Sequence, residues 1–263
     1  MPMRPSEPQQ VWTDALLDSP HEVRDKAQRV RTMFNAIAPR YELVNTLFSG
    51  GRDAYWRRKA VELASVRRED VVLDVACGTG DFARAFVRSG AGQVVGADFA
   101  HEMLLCAGRR PRSAGGGRTD AAGFTGPHWI EADALRLPFA DESFSIVSCA
   151  FGLRNLGDLD QGLREARRVL RPGGRCVILE FTRPDNAMFR RVYEFYSNRL
   201  MPKAATMISG DRCGAYRYLP RSVVSFLTAE EMCRRLREAG LSQPRATPLT
   251  LGVVTVYVAG RDA

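Results

Sequence analysis

The chain has 263 residues, is 45% hydrophobic and carries a formal net charge of +8. This length and apolar content predict one large globular domain. The charge suits an anionic partner, and since no basic segment with interleaved aromatics is present, a membrane surface fits better than nucleic acid. Ordinary solvated arginines explain the charge equally well. No apolar run approaches about 18 residues and no signal peptide is evident, so we expect nothing to span a membrane.

The six cysteines are scattered and form no C-x-x-C pair. Several fall in predicted buried strands, where a thiol packs as a small apolar group in a reducing compartment. We therefore expect a cytoplasmic protein. The positive net charge also allows peripheral contact with the inner face of the membrane.

The N-terminal part of the chain predicts a tail followed by helices. Residues 1–20 contain Pro and Gln and are expected to be disordered. From Glu22 to Ala38 apolar residues recur at steps of three and four, which predicts an amphipathic helix. A second helix is predicted over Asp53–Ala64. We expect residues 21–65 to form a helical cap over a ligand cleft or against a membrane, although ordinary packing on a sheet edge fits as well.

The segment Val71–Phe82, VVLDVACGTGDF, organises the rest of the chain. An apolar strand runs into a glycine-rich turn and then into a helix over Asp81–Arg88, as at the start of a doubly wound α/β sheet. The next strand, Gln93–Asp98, ends in a carboxylate. An acid at that place typically accepts the hydroxyls of an adenosine ribose, so we expect an adenosine-containing cofactor.

The glycine motif alone does not identify that cofactor. The G-x-G-x-x-A pattern that starts at Gly78 also fits a dinucleotide, or only a tight turn. However, Asp74, Asp81 and Asp98 surround it. A pyrophosphate there would be repelled by these carboxylates, at a cost of roughly 3 kcal/mol for each pair of charges about 5 Å apart at an effective dielectric of about 20. S-adenosylmethionine carries a sulfonium and an ammonium instead, so this cofactor is favoured.

The remaining elements complete a parallel sheet. Strands are predicted at His128–Ala132, Phe144–Ala150 and Arg175–Phe181, with helices at Ala100–Arg109 and between Leu159 and Leu170. A T-x-x-E capping box at Thr228 opens a further helix, and two final strands at Arg245–Leu249 and Val253–Val258 predict a hairpin. The predicted fold is α/β: a Rossmann-like class I methyltransferase with a seven-stranded, mostly parallel sheet, helices on both faces and a C-terminal β-hairpin.

Two insertions interrupt this pattern. Residues 111–127 are Gly-rich and are expected to form a surface loop. Residues 184–226 follow the fifth strand at the carboxyl edge of the sheet, where ligands bind. Their aromatics predict either a lid over an apolar substrate or a small satellite core, and the whole of 21–263 is expected to be one domain.

These motifs together resemble the ubiquinone/menaquinone biosynthesis C-methyltransferase family. The resemblance covers most of the chain, and FGLRN with AYRYLP-x-S is its most specific part. The chain differs from the family pattern at Asp53, Leu227 and Tyr257, which bears on the substrate more than on the cofactor. The matching segments are MFNAIAPRYELVN (33–45), VLDVACGTGD (72–81), ADALRLPF (132–139), FGLRN (151–155), RVLRPGGRCVILEF (168–181) and SGDRCGAYRYLPRSV (209–223).

The resemblance implies methylation of a ring carbon in a polyprenylated quinol, with demethylmenaquinone as the preferred precursor over a ubiquinone precursor. Such a carbon becomes nucleophilic when the neighbouring hydroxyl ionises, and an adjacent arginine favours ionisation. Arg154 is the arginine expected to stabilise the ionised hydroxyl, and Asn155 is expected to bind the ring oxygen. Water, Tyr41 or a carboxylate would accept the proton, and no metal is needed. A structural ion pair is the alternative role for Arg154.

The expected cofactor contacts include Asp98 on the ribose and Asp133 with the Ala134 backbone on the adenine, although Asp133 also suits a simple turn. Three other functions stay open: methylation of another small apolar acceptor, a nicotinamide-dependent oxidoreductase, and a catalytically silent cofactor-binding scaffold. The sequence leaves a homo-oligomer open as well. The expected cofactor-binding residues are Asp74, Gly78, Thr79, Gly80, Asp98, Asp133 and Ala134.

Overall fold

The computed structural model describes residues 11–110, 126–184, 191 and 213–263. Seven strands form one sheet in the order β3-β2-β1-β4-β5-β7-β6. The first five are parallel, while β7 runs antiparallel to both β5 and β6. This confirms the predicted fold class and the C-terminal hairpin. The strands are β1 Val71–Val75, β2 Gln93–Asp98, β3 His128–Glu131, β4 Phe144–Ala150, β5 Leu170–Phe181, β6 Ser242–Leu249 and β7 Val254–Gly260.

Helices cover both faces of the sheet because alternate strand residues point to opposite sides. In β1, Val72 packs with the helices Arg52–Ala64 and Asp81–Arg88, whereas Leu73 packs with the helices Leu159–Val169 and Ala229–Glu238. The α-helices of the described ranges are α1 Asp14–Leu17, α2 Lys26–Ile37, α3 Tyr41–Ser49, α4 Arg52–Ala64, α5 Asp81–Arg88, α6 His101–Arg109, α7 Leu159–Val169, α8 Ala215–Val224 and α9 Ala229–Glu238.

The expected disordered tail is wrong for residues 11–20, which pack against the body. Trp12 is fully buried and its ring stacks on Tyr218 at 4.1 Å between centroids. The amides of Val11 and Trp12 both donate to the Cys213 carbonyl. The polar composition of the tail hid these apolar anchors, and residues 1–10 lie outside the described part of the chain.

Two further differences concern element boundaries. The segment Tyr41–Ser49 is a helix that the sequence analysis did not predict. It ends just before Gly50 and Gly51, which both have positive φ. Strand β5 starts at Leu170, and residues 171–174 form an irregularity against β4 before regular pairing resumes at Arg175. The predicted capping box holds, since the Thr228 side chain accepts from the Glu231 amide at 3.2 Å.

The two predicted insertions are only partly described. Residues 111–125, 185–190 and 192–212 lie outside the description, so the surface loop and the lid expected there remain predictions. The described end, from Cys213 to Leu219, packs into a third buried cluster with α2, α6 and residues 11–17. This part of the insertion therefore contributes to a satellite core.

Candidate active site

A cavity opens at the carboxyl ends of β1, β2 and β4, where these parallel strands are followed by loops. It holds about 950 Å³ of empty space, part of it open to solvent. This is the edge at which doubly wound sheets bind ligands. The residues after β1 and β2 form one wall, and those after β4 form the other.

The glycine-rich turn after β1 forms the first wall. Its backbone adopts left-handed conformations that residues with a side chain rarely adopt. Gly78 has φ +55° and Gly80 has φ +84°, both in the left-handed region. Gly78 and Thr79 line the cavity. Gly80 is not among the lining residues; it caps α5, and a Cβ there would lie 2.2 Å from the Trp129 ring. It therefore permits the turn, and its contact with a cofactor stays a prediction.

Asp98 ends β2 as predicted and lines the cavity. Its Oδ2 accepts from the Gly78 amide at 2.7 Å and its Oδ1 from the Ala100 amide at 2.8 Å. Burial raises the pKa of Asp98 to about 6, against the backbone hydrogen bonds that lower it. The carboxylate therefore fixes the glycine turn and still offers lone pairs to a ligand hydroxyl.

Asp74 is the most unusual carboxyl group of the cavity. It is fully buried, and its Oδ1 accepts from the Ser148 hydroxyl at 2.8 Å. Its Oδ2 has no hydrogen-bond partner among the described residues. Burial raises the pKa of Asp74 to about 7. A buried acceptor without a donor costs free energy, and a cationic ligand in the cavity would remove that cost.

The charge of the cavity also favours a cation. Among the described residues that line it, four are acidic and Arg57 alone is basic. Arg57 is already paired with Asp53 at 3.0 Å, and of the four acids Asp81 is paired with Arg110 at 2.5 Å. Such a lining repels a pyrophosphate and attracts a sulfonium or an ammonium, so the residues present fit S-adenosylmethionine. The four acidic residues are Asp74, Asp81, Asp98 and Asp133.

The predicted adenine contacts also lie at the cavity. Asp133 and Ala134 line it just beyond β3. The Asp133 Oδ1 accepts from the Leu135 amide at 2.9 Å, so this residue does form a turn. The second oxygen is not used by that bond, and its role toward an adenine stays a prediction.

The opposite wall starts with a strained residue. Phe151, directly after β4, has φ +59°, a conformation that costs a bulky side chain on the order of 1–3 kcal/mol. Its amide donates to the Leu179 carbonyl at 2.7 Å. Its own carbonyl accepts from Arg154 Nη1 at 2.6 Å and from Asn155 Nδ2 at 3.2 Å. These three hydrogen bonds hold the turn in place.

Arg154 lies behind this wall, and it is not one of the residues that line the cavity. Its Nη1 also pairs with Glu180 Oε1 at 2.6 Å, and the two side chains are 4% and 1% exposed. Burial opposes the charge, but the Glu180 carboxylate outweighs it and raises the pKa of Arg154. The guanidinium lies over the Phe181 ring at 5.3 Å. The structural ion pair is therefore present, and direct contact with a substrate stays a prediction.

Asn155 lines the cavity, as does Tyr41. Because the Phe151 carbonyl can only accept, the amide nitrogen of Asn155 must face it, which turns Oδ1 toward Tyr218. The Tyr218 hydroxyl donates to that Oδ1 at 3.1 Å. Burial raises the pKa of Tyr218, so it remains a donor. Among the described residues we find no acceptor for the second N–H of Asn155, and its contact with a ligand oxygen stays a prediction.

Sequence reasoning missed three residues that shape the site. Ser148 orients Asp74, Tyr218 orients Asn155, and Lys26 donates to the backbone around Asn155. Tyr218 lies in the AYRYLP motif, so a signal for it existed. No pattern marks Ser148 or Lys26, because their partners are distant in sequence.

The Asp74 geometry predicts a proton-linked affinity. With a pKa of about 7, Asp74 is protonated in roughly half of the free molecules at pH 7. A bound ammonium lowers that pKa, so binding should release up to about half a proton at this pH. Calorimetry of S-adenosylhomocysteine binding in two buffers of different ionisation enthalpy measures the release. Asp74→Asn should remove most of it, leaving the smaller part from Asp98. Equal release by both proteins would exclude Asp74.

Residues 22–261 match the ubiE/COQ5 methyltransferase family model. A Thermus thermophilus protein named demethylmenaquinone methyltransferase is 44% identical over 230 residues, covering 87% of this chain and 100% of that protein. A Geobacter sulfurreducens protein named ubiquinone/menaquinone biosynthesis C-methyltransferase UbiE is 40% identical over 242 residues, covering 90% of each chain.

Solved structures agree on the fold. The crystal structure of a SAM-dependent methyltransferase from Thermotoga maritima is similar with a TM-score of 0.62 at 18% identity, over 89% of this chain and 100% of that one. Identity at that level shows the fold alone. The family model and the two sequence relatives carry the stronger conclusion: this chain belongs to the ubiE/COQ5 methyltransferase family.

Proposed function

We propose that this protein transfers a methyl group from S-adenosylmethionine to a ring carbon of demethylmenaquinol. The observation that carries the proposal is a cavity with an acidic cofactor wall facing the Asn155 loop, in a chain 44% identical to a demethylmenaquinone methyltransferase. Relatives named for both quinone pathways keep a ubiquinone precursor as the second acceptor.

The cofactor supplies an electrophilic methyl group when bound. Asp98 would accept from its ribose hydroxyls, and Asp74 would face its cationic end. Thr79 and the amides at the start of α5 would line its remaining polar part. Asp133 and Ala134 would meet the adenine. All the side chains assigned here line the described cavity, and so do Asp81 and Phe82 at the start of α5, which supports the assignment.

The acceptor must lose a hydroxyl proton before its ring carbon attacks. A phenol of pKa near 10 is about 0.1% ionised at neutral pH, a cost of roughly 4 kcal/mol. Asn155 and Tyr41 line the cavity and are the groups proposed to contact the ring oxygen. Arg154 lies one layer behind them, so its effect on that oxygen would pass through Asn155 or a water.

The direct test is transfer of a labelled methyl group from S-adenosylmethionine by the purified protein. We expect transfer to demethylmenaquinol, and less to a benzoquinol precursor. Asn155→Ala should lower kcat by about 10²–10³, the scale of one lost oxyanion donor, with unchanged cofactor affinity. Gln93→Ala, at the exposed start of β2, is the control and should behave as wild type.

The outcomes of this assay separate the alternatives. Cofactor binding without transfer to either quinol supports the silent scaffold and contradicts the proposal. In a thermal-shift measurement, stabilisation of the protein by NADH but not by S-adenosylhomocysteine would support the oxidoreductase instead. Transfer to a different apolar ring compound keeps the enzyme class and corrects the acceptor.

A polyprenylated acceptor resides in a membrane, so we propose peripheral contact with an anionic surface. None of the helices in the described ranges has the length and apolar content that a membrane crossing needs. The net charge of +8 and the side chain of Leu43, 55% exposed on α3, support surface contact. We expect sedimentation with anionic liposomes at low salt and release at high salt. If the protein does not bind the liposomes at low salt, the positive charge is only solvated surface and the proposed membrane contact is wrong.

A further inference from the structure

A buried lysine holds the loop that carries Asn155. Lys26, the first residue of α2, is 5% exposed. Its Nζ donates to the Arg154 carbonyl at 2.9 Å and to the Leu156 carbonyl at 2.6 Å. The His21 Nδ1 lies 3.3 Å away and completes its three contacts. Lys26 therefore clamps the backbone on both sides of Asn155.

The charge of this lysine is not cancelled by a carboxylate in the described ranges. Arg154 is matched by Glu180 in a 2.6 Å ion pair. Lys26 experiences burial and the like charge of Arg154, which lower its pKa to about 8. His21 adds no positive charge at neutral pH, because burial and then Lys26 lower its pKa. The cluster thus carries one uncompensated positive charge at neutral pH.

That charge lies directly behind the acceptor wall of the cavity. Asn155 and Leu156, whose backbone Lys26 holds, line the cavity, and so does Ala27, the neighbour of Lys26. Burying an unpaired charge is costly, and an apolar side chain would pack there more cheaply. An anion in the cavity would offset that cost. The geometry therefore suits an acceptor that becomes negatively charged.

We propose that Lys26 is a positioning residue of the methyl transfer, which sets the Asn155 loop and supplies the positive charge that favours the ionised acceptor hydroxyl. The inference rests on the proposed function. The acceptor proton leaves to solvent, and Lys26 keeps its own proton throughout. Arg154 cannot fill this role alone, because its charge is already matched.

The other titratable groups around Lys26 fit this account. His21 precedes α2, and its Nε2 lies 3.0 Å from the Ser222 carbonyl of α8. Glu180, on β5, reaches the cluster only through Arg154. Tyr218, on α8, reaches it through Asn155 and remains neutral because burial raises its pKa. Within the described ranges, Glu180 is therefore the one carboxylate that belongs to this cluster.

A spectroscopic titration tests the inference without turnover. We choose 1-naphthol, a ring analogue without the prenyl chain, bound to the S-adenosylhomocysteine-loaded protein. The absorbance of naphtholate against pH gives its ionisation midpoint, which wild type should lower by about one unit relative to free naphthol. Lys26→Met should lose most of that shift, and Lys26→Arg should keep it. Lys59→Met, which removes an exposed lysine paired with Glu62, is the control.

A second readout uses the complete reaction. With demethylmenaquinol, kcat/KM of wild type should rise with pH as the acceptor ionises and level off above about pH 8, where free Lys26 loses its proton. Lys26→Met should be slower at pH 7, by about tenfold, and its kcat/KM should keep rising toward the acceptor pKa near 10. Lys26→Gln serves where the Met variant does not fold, since it keeps one donor for the loop.

The failures are distinguishable. An unshifted naphthol midpoint in wild type, or an equal shift in folded Lys26→Met, overturns the role of Lys26 even if methyl transfer proceeds. Absence of methyl transfer by wild type overturns the proposed function, whereas a naphthol shift that depends on Lys26 would still support the charge placement.

Discussion

The buried ion pair between Arg154 and Glu180 is the interaction on which the acceptor side of the cavity depends. It places a guanidinium where one nitrogen binds both Glu180 and the carbonyl of Phe151. That carbonyl belongs to a residue with a positive φ, which an aromatic side chain rarely adopts. The pair therefore holds a strained turn, and the turn determines where Asn155 meets the cavity.

The cavity combines two walls of opposite electrostatic character. Asp74 and Asp98 lie on the side of β1 and β2, with pKa values of about 7 and 6 because of burial. Lys26 and Arg154 lie behind the opposite side, with Glu180 matching one of the two charges. Under the proposed function, the cationic cofactor would be attracted to the first wall and the anionic acceptor to the second, so that the methyl donor would face the ring carbon across the cavity.

Local patterns in the sequence predict the sheet, the glycine turn, Asp98 and the position of FGLRN, since each depends on neighbours along the chain. Contacts between distant segments are not predictable in this way: Lys26 and Arg154 are 128 positions apart, and Tyr218 and Asn155 are 63 apart. Trp12 was missed for two reasons: its polar neighbours suggested disorder, and its partner Tyr218 lies far along the chain. The close packing of Gly80 against Trp129 is a further contact between distant segments that no local pattern indicates.

A double-mutant cycle on Arg154 and Glu180 tests this dependence most directly, with the free energy of unfolding measured in denaturant. Arg154→Met and Glu180→Met should each cost about 3–5 kcal/mol, because each leaves a buried charge unpaired. The double variant should lose less than the sum of the two, with an interaction energy of at least about 2 kcal/mol. Additive losses would contradict the account, because the loop would then be held by other contacts.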